Sequence, residues 1–186
     1  DRYKIASIPG DGIGIEVVDA GLRALHALAE RAGTFQFDVT HFDWGADHYK
    51  REGALMPADG AQNLIGFDAI LFGAVGAPNV PDHLTLWGLR LNICQTLDQY
   101  ANVRPTRILP GITSPLAGVT DKDLDWVIVR ENSEGEYSGQ GGRSHRGQTQ
   151  EVATDMAVFS RVGVERIIRF AFELAQSRPR KLLTIV

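Results

Sequence analysis

Two arginines and a tyrosine are the side chains best suited to chemistry. Arg104 stands in YANVRP, inside an extended stretch and just before a proline. Arg130 ends the apolar run DLDWVIVR, and Tyr137 closes the acidic run ENSEGEY that follows it. A guanidinium offers two parallel hydrogen bonds to a carboxylate, so two arginines at strand ends would serve a di- or tricarboxylate. A tyrosine with a reference pKa of about 10 can act as a proton donor when a cation or metal steadies its phenolate. Each has a plainer reading. Arg104 could sit at a wet strand edge, Arg130 could pair with Glu131, Glu134 or Glu136, and Tyr137 could be an ordinary amphipathic side chain.

Glycine turns form the second group of candidates. IASIPGDGIGIEVV, residues 5–18, has glycines at 10, 12 and 14, whereas a dinucleotide fingerprint needs G-x-G-x-x-G. Ile15 occupies the place of the third glycine, Pro9 lacks an N–H, and Asp11 would repel a pyrophosphate. The other reading is a tight strand-to-helix turn that uses glycine's freedom at positive φ. A second turn, GAVG, covers 73–76. Other familiar sites are missing. The five histidines form no H-E-x-x-H, one cysteine rules out a zinc ribbon, and GRSHR at 142–146 ends in Arg where a nucleophile elbow needs glycine. Arg143, His145 and Arg146 read as a solvated surface.

These residues need strands and helices to place them. YKIASI (3–8) reads as a strand. Val17, Val18, Leu22, Leu25 and Leu28 recur at helical spacing, predicting a helix over 14–32 that stops at Gly33. FQFDVTHF (35–42) alternates as a strand, with short helical stretches near 45–52 and 57–66. FDAILF (67–72) suits a central parallel strand covered on both faces. Residues 84–99 read as helix, 101–108 as extended, and 123–130 as a buried strand. The polar, glycine-rich segment 138–152 reads as a projecting hairpin or arm, and 160–177 as an amphipathic helix. Pro105, Pro110, Gly111, Pro115 and Gly118 mark a boundary near 100–120. The strand–helix rhythm predicts an α/β sheet whose ligands bind outside the carboxyl ends of the strands. Gly10–Gly14, Gly73–Gly76 and Arg130–Tyr137 all follow such ends.

The 186 residues carry 19 Lys and Arg against 23 Asp and Glu, a net charge of −4 spread along the chain. That argues against nucleic-acid or membrane-surface binding. No apolar run approaches the roughly 20 residues that span a bilayer. The single cysteine, Cys94, excludes an intrachain disulfide and fits a reducing, cytoplasmic setting. RKLLTIV reads as a buried strand that stops without a turn, so the chain is expected to be a piece of a longer protein.

Four stretches then fall in register: IPGDGIGIEV, FGAVGAP, DQYANVRP and VIVRENSEGEYSGQGGR. Their order and spacing resemble the β-decarboxylating dehydrogenase family, which includes isocitrate, 3-isopropylmalate, D-malate and tartrate dehydrogenases. VPDHLTLWGLRL, DQYANVRPTRILPGITSPL and RFAFELAQSRPRK are most similar to its tartrate and D-malate branch. The resemblance implies an isopropylmalate dehydrogenase-like two-domain α/β fold with a largely parallel central sheet, truncated here. Residues 1–100 would begin a cofactor-side domain. Residues 101–186 would begin a substrate and dimerisation domain, whose arm clasps a second copy in a homodimer.

The resemblance also implies NAD-dependent oxidation of a small 2-hydroxy diacid such as tartrate or D-malate, with or without decarboxylation. Isopropylmalate or isocitrate oxidation, or a non-catalytic α/β binding module, are the alternatives. Arg104 and Arg130 would hold the substrate carboxylates, and Tyr137 would protonate the enol carbon. The turn Gly10–Gly14, with Ile13, would lie beside the nicotinamide end of a bound NAD, and Gly73, Gly76, Ala77, Leu86 and Trp87 would line the cofactor cleft. The base lysine and the aspartates that bind Mg²⁺ or Mn²⁺ are expected beyond residue 186, with K⁺ as a further cation. Lys181 does not match that lysine. Family members commonly carry an arginine ten residues before Arg104, where this chain has Cys94. Arg90, one helical turn earlier, is the expected substitute, and the Trp87 ring would favour four-carbon diacids.

Overall fold

Strand β1 (Arg2–Gly10) is buried from Ile5 through Ile8, with Ser7 the one polar side chain among them, as suits the middle strand of a sheet. A computed structural model describes residues 1–186, which form two compact units, Asp1–Leu97 and Asp98–Val186. In the first unit β1 lies between β2 (Gln36–His41) and β3 (Ala69–Ala74), both parallel to it. FDAILF therefore contributes an end strand of this three-stranded sheet rather than its centre, and its residues are half-buried or, at Asp68 and Ala69, exposed. Parallel neighbours require crossover connections. The first is helix α1 (Ile13–Ala32), closed by Gly33 in the left-handed conformation at φ 64°. Val18, Leu22 and Ala29 of α1 are buried; Val17 and Leu28, expected on the same stripe, are exposed.

Short helices α2 (Ala46–Glu52) and α3 (Gly60–Asn63) precede β3. The segment expected to be one helix over 84–99 has three parts. They are α4 (Asp82–Thr85), a π turn at Leu86–Arg90, and α5 (Leu91–Thr96). Ala6 and Ile8 of β1, Trp44, Leu55, Met56, Leu64, Leu89 and Ile93 form the core. Leu89 and Leu91 are fully buried, each worth roughly 1.5–3 kcal/mol by its removal from water.

The second unit contains two antiparallel pairs and one long helix. Strands β4 (Ala101–Arg107) and β5 (Asp125–Glu131) form a ribbon; β6 (Gly135–Ser144) and β7 (Val152–Val158) form a hairpin. The arm is thus longer than the polar segment that foretold it, because its apolar base belongs to the same hairpin. Trp126 and Ile128 of β5 are 53% and 49% exposed, so the strand is not buried as expected. Helix α6 (Arg161–Ser177) packs on β5, with Ile167, Ile168, Ala171, Leu174 and Ala175 turned at least partly inward. Arg178 pairs with Asp125 at 2.9 Å, tying the end of α6 to the start of β5. Residues 181–186 are not a strand. Extended chain becomes a strand only by pairing, and nothing in the unit pairs with it.

Candidate active site

In the second unit the β4–β5 register determines which side chains share a face. Asn102 stands opposite Arg130, and Arg104 opposite Ile128. Directly opposed residues in an antiparallel pair point to the same side, as do residues two apart. Asn102, Arg104, Ile128 and Arg130 therefore project from one face. Arg104 and Arg130 are diagonal neighbours, whose backbones lie about 7–8 Å apart in such ribbons. Tyr137 joins them, its ring centroid 5.1 Å from the Arg130 guanidinium carbon. The three residues named from the sequence are brought together within one unit.

Asn102 was not among them. Its Oδ1 accepts a hydrogen bond from Arg104 Nε at 2.9 Å. That bond fixes the guanidinium by one edge and favours the η-nitrogen pair for a bidentate carboxylate. Its place two residues before Arg104 in a strand was the available signal. Behind it, Asn132 is buried, and its Nδ2 donates to the Gln99 carbonyl at 3.2 Å.

The acidic run is structural. Glu131 accepts from the Ser133 hydroxyl at 2.6 Å and from the Ser133 and Glu134 amides at 2.9 and 2.6 Å. Glu134 accepts from the amide and hydroxyl of Ser160 at 2.8 and 2.5 Å. Ser160 in turn caps α6 by accepting from the Gly163 amide at 3.0 Å. Two of the three carboxylates offered as surface partners for Arg130 thus hold a turn. At the turn Gly135 has φ 66°, a conformation that favours glycine. Arg166 completes the support. It binds both oxygens of Asp98 at 2.8 and 3.0 Å and lies 4.4 Å from the Tyr100 ring centroid.

The Ser160 hydroxyl and amide, with the Arg166 charge, hold the Glu134 carboxyl below its ordinary pKa of 4.5. A depressed carboxyl contributes stability that is present above its unfolded pKa and lost as pH falls through the folded value. Glu134→Gln is therefore expected to lower the denaturant midpoint at neutral pH. It is also expected to lose less than the wild type between about pH 5 and pH 3. Parallel acid profiles for the two proteins would contradict this.

The first unit places the other candidates. The turns after β1 and β3 lie side by side, with the Asp11 amide donating to the Ala74 carbonyl at 2.6 Å. A Cβ on Gly10 or Gly14 would collide with Ala74, so these glycines serve close backbone approach. Gly73 belongs to β3 and packs against the Pro9 backbone in the same way. Asp11 is 9% exposed; its Oδ1 accepts from Ala46 N at 2.7 Å and its Oδ2 from Gly76 N at 2.9 Å. Two amides that could have faced a phosphate are thereby occupied by the chain's own carboxylate. Gly12 and Gly76, both at positive φ, look onto open space, and Ile13 beside Gly12 is 59% exposed. With both Asp11 oxygens already accepting amides, that surface does not have the free N–H groups of a pyrophosphate clamp.

Ala77 follows Gly76 and is half-buried. Leu86, Trp87 and Arg90 all belong to the π turn, a geometry frequent at functional sites. Trp87 is 38% exposed; Arg90 and Cys94 are half-buried one turn apart. No group of three or more His, Cys, Asp or Glu side chains in the chain could hold a metal ion. No helix is long and apolar enough to cross a membrane.

The family model described as isocitrate/isopropylmalate dehydrogenase matches residues 4–186. A probable tartrate dehydrogenase/decarboxylase of Agrobacterium vitis is 68% identical over 185 residues, covering 100% of this chain and 52% of that protein. The decarboxylating D-malate dehydrogenase of Escherichia coli K12 is 52% identical over 183 residues, covering 97% of this chain and 50% of its own length. The crystal structure of isocitrate dehydrogenase from Methylococcus capsulatus superposes with a TM-score of 0.73 at 30% identity, over 94% of this chain and 48% of that one. The chain spans about half the length of the curated relatives it matches.

Proposed function

The chain belongs to the isocitrate/isopropylmalate dehydrogenase family, and from that premise we propose that the complete protein oxidises a small 2-hydroxy diacid, D-malate or tartrate, with NAD. The observation that carries this reading is the shared face of Arg104 and Arg130 with Tyr137 against Arg130. Two forks on one face match a dianion, and the phenol lies beside a permanent cation.

Arg104 and Arg130 bind and orient the carboxylates, and Asn102 holds Arg104 by its Nε edge. Arg90 takes the place of the arginine that Cys94 replaces, and Arg90→Ala with an unchanged substrate KM would remove it from the set. Tyr137 delivers the proton to the enol carbon after decarboxylation. Ile13, Gly73, Gly76, Ala77, Leu86 and Trp87 line the cofactor cleft, with Trp87 limiting the size of the substrate. When bound, NAD supplies the hydride acceptor. Mg²⁺ or Mn²⁺, with K⁺ as a further cation, would take ligands outside this chain and would steady the enolate as a Lewis acid. The first unit begins the cofactor-side domain and the second the substrate and dimerisation domain. The 186-residue segment by itself is expected to be inactive.

The test is the complete protein with NAD and Mn²⁺, offered D-malate, tartrate, 3-isopropylmalate and isocitrate, followed by absorbance of the reduced cofactor. Turnover of D-malate or tartrate is expected. Equal turnover of 3-isopropylmalate would remove the size limit at Trp87, and no turnover of any diacid would overturn the reading.

The hairpin is the proposed dimer clasp. Val152, Met156 and Val158 of β7 share one face, and each is at least 44% exposed. Single surface apolar residues are ordinary, but a row on one strand face marks an interaction surface. Met156→Asp with Val158→Asp is expected to convert the dimer to monomer by size-exclusion chromatography. A dimer that persists at micromolar concentration would count against the clasp.

A further inference from the structure

We propose that Asp11 is a positioning residue: an internal anion that holds the Gly76–Ala77 loop at the proposed cofactor cleft. Its carboxylate is buried and receives amides from two segments far away in sequence, Ala46 at 2.7 Å and Gly76 at 2.9 Å. Its own amide bonds the Ala74 carbonyl at 2.6 Å. One residue thus joins the turn after β1, the start of α2 and the loop after β3. Gly45 confirms how closely the parts fit. Its φ is 145°, and a Cβ there would lie 2.7 Å from Asp11 Oδ1.

A carboxylate is the right group for this task. Both oxygens accept, and hydrogen bonds to an ionised acceptor are roughly twice as strong as neutral ones. Asparagine has nearly the same shape but accepts with one atom only. Its NH₂ group would oppose one of the two amides, leaving a buried donor unsatisfied. The β1–β2–β3 ladder does not use the Asp11 side chain, so the effect of the change is confined to the two anchored segments. This inference rests on the assignment of Gly76 and Ala77 to the cofactor cleft.

The experiment is Asp11→Asn in the complete protein, with hydrogen exchange and kinetics measured side by side. Faster exchange at Ala46 and Gly76 by about tenfold or more is expected, with the amides of β1 unchanged. The NAD dissociation constant from calorimetry and the KM for NAD should rise by a similar factor, while kcat and the KM for the hydroxy acid stay within about twofold. Unchanged protection at Gly76 would overturn the proposal. So would a uniform loss of protection with parallel losses in every kinetic constant, which is the pattern of a general stability defect. If the wild type oxidised none of the acids, the substrate reading would fail, and the exchange pattern alone would decide the role of Asp11.

Discussion

Arg130→Met in the complete protein is expected to lower kcat/KM for the hydroxy diacid by about 10²- to 10³-fold, and Arg104→Met by a similar factor. Truncating one member of a desolvated, hydrogen-bonded charge pair costs about 2–5 kcal/mol, much of it from the stranded partner, here the substrate carboxylate. Methionine keeps most of the packing volume, so the loss reports the fork rather than a cavity. Arg130→Lys keeps the charge without the planar pair of donors and should recover only part of the activity. Because the two arginines would grip one dianion, the double variant should fall short of the sum of the single losses. Full additivity, or a change under about threefold in either single variant, would place the substrate elsewhere.

Tyr137→Phe is expected to lower kcat by about 10²- to 10³-fold, the usual worth of a positioned general acid. The ring against Arg130 is retained, so the KM for the diacid should hold within about threefold. If protonation at carbon follows hydride transfer, the slow step moves behind cofactor reduction. A pre-steady-state burst of about one equivalent of reduced cofactor per site should then appear in Tyr137→Phe. A variant with normal kcat would leave the phenol no chemical role. A variant with a large KM increase and normal kcat would make it a binding group instead.

The parts of this molecule that could be read from the chain are those set by local physics. Helix α1 was legible from Val17, Val18, Leu22, Leu25 and Leu28 at helical spacing, though Val17 and Leu28 are exposed, and from Gly33, which takes the left-handed conformation that ends it. The closeness of Arg130 and Tyr137 was legible because strand end, turn and acid run are contiguous. Some misses are local, as where a π turn breaks the helix expected over 84–99; others are non-local. Whether 181–186 is a strand depends on a partner, and no pattern within LLTIV supplies one. The position of β3 at an end of the sheet depends on which strands β1 accepts, and hydrophobicity alone cannot rank them. Asp11 looked hostile to a phosphate. Its actual partners stand 35 and 65 residues away, beyond any spacing rule. Asn102 differs: its position on the face of Arg104 follows from a period of two.

The π turn at Leu86–Arg90 has an evolutionary consequence. There the Leu91 amide bonds the Leu86 carbonyl, five residues back rather than four, so the segment holds one residue more than an α-helix of the same hydrogen-bonded span. Excising that residue would turn the five-residue bond into an ordinary four-residue one and leave the helical residues on either side in their present register. A lineage with this turn can therefore absorb a single-codon insertion or deletion at this point while the buried Leu91 and Ile93 anchors stay in place.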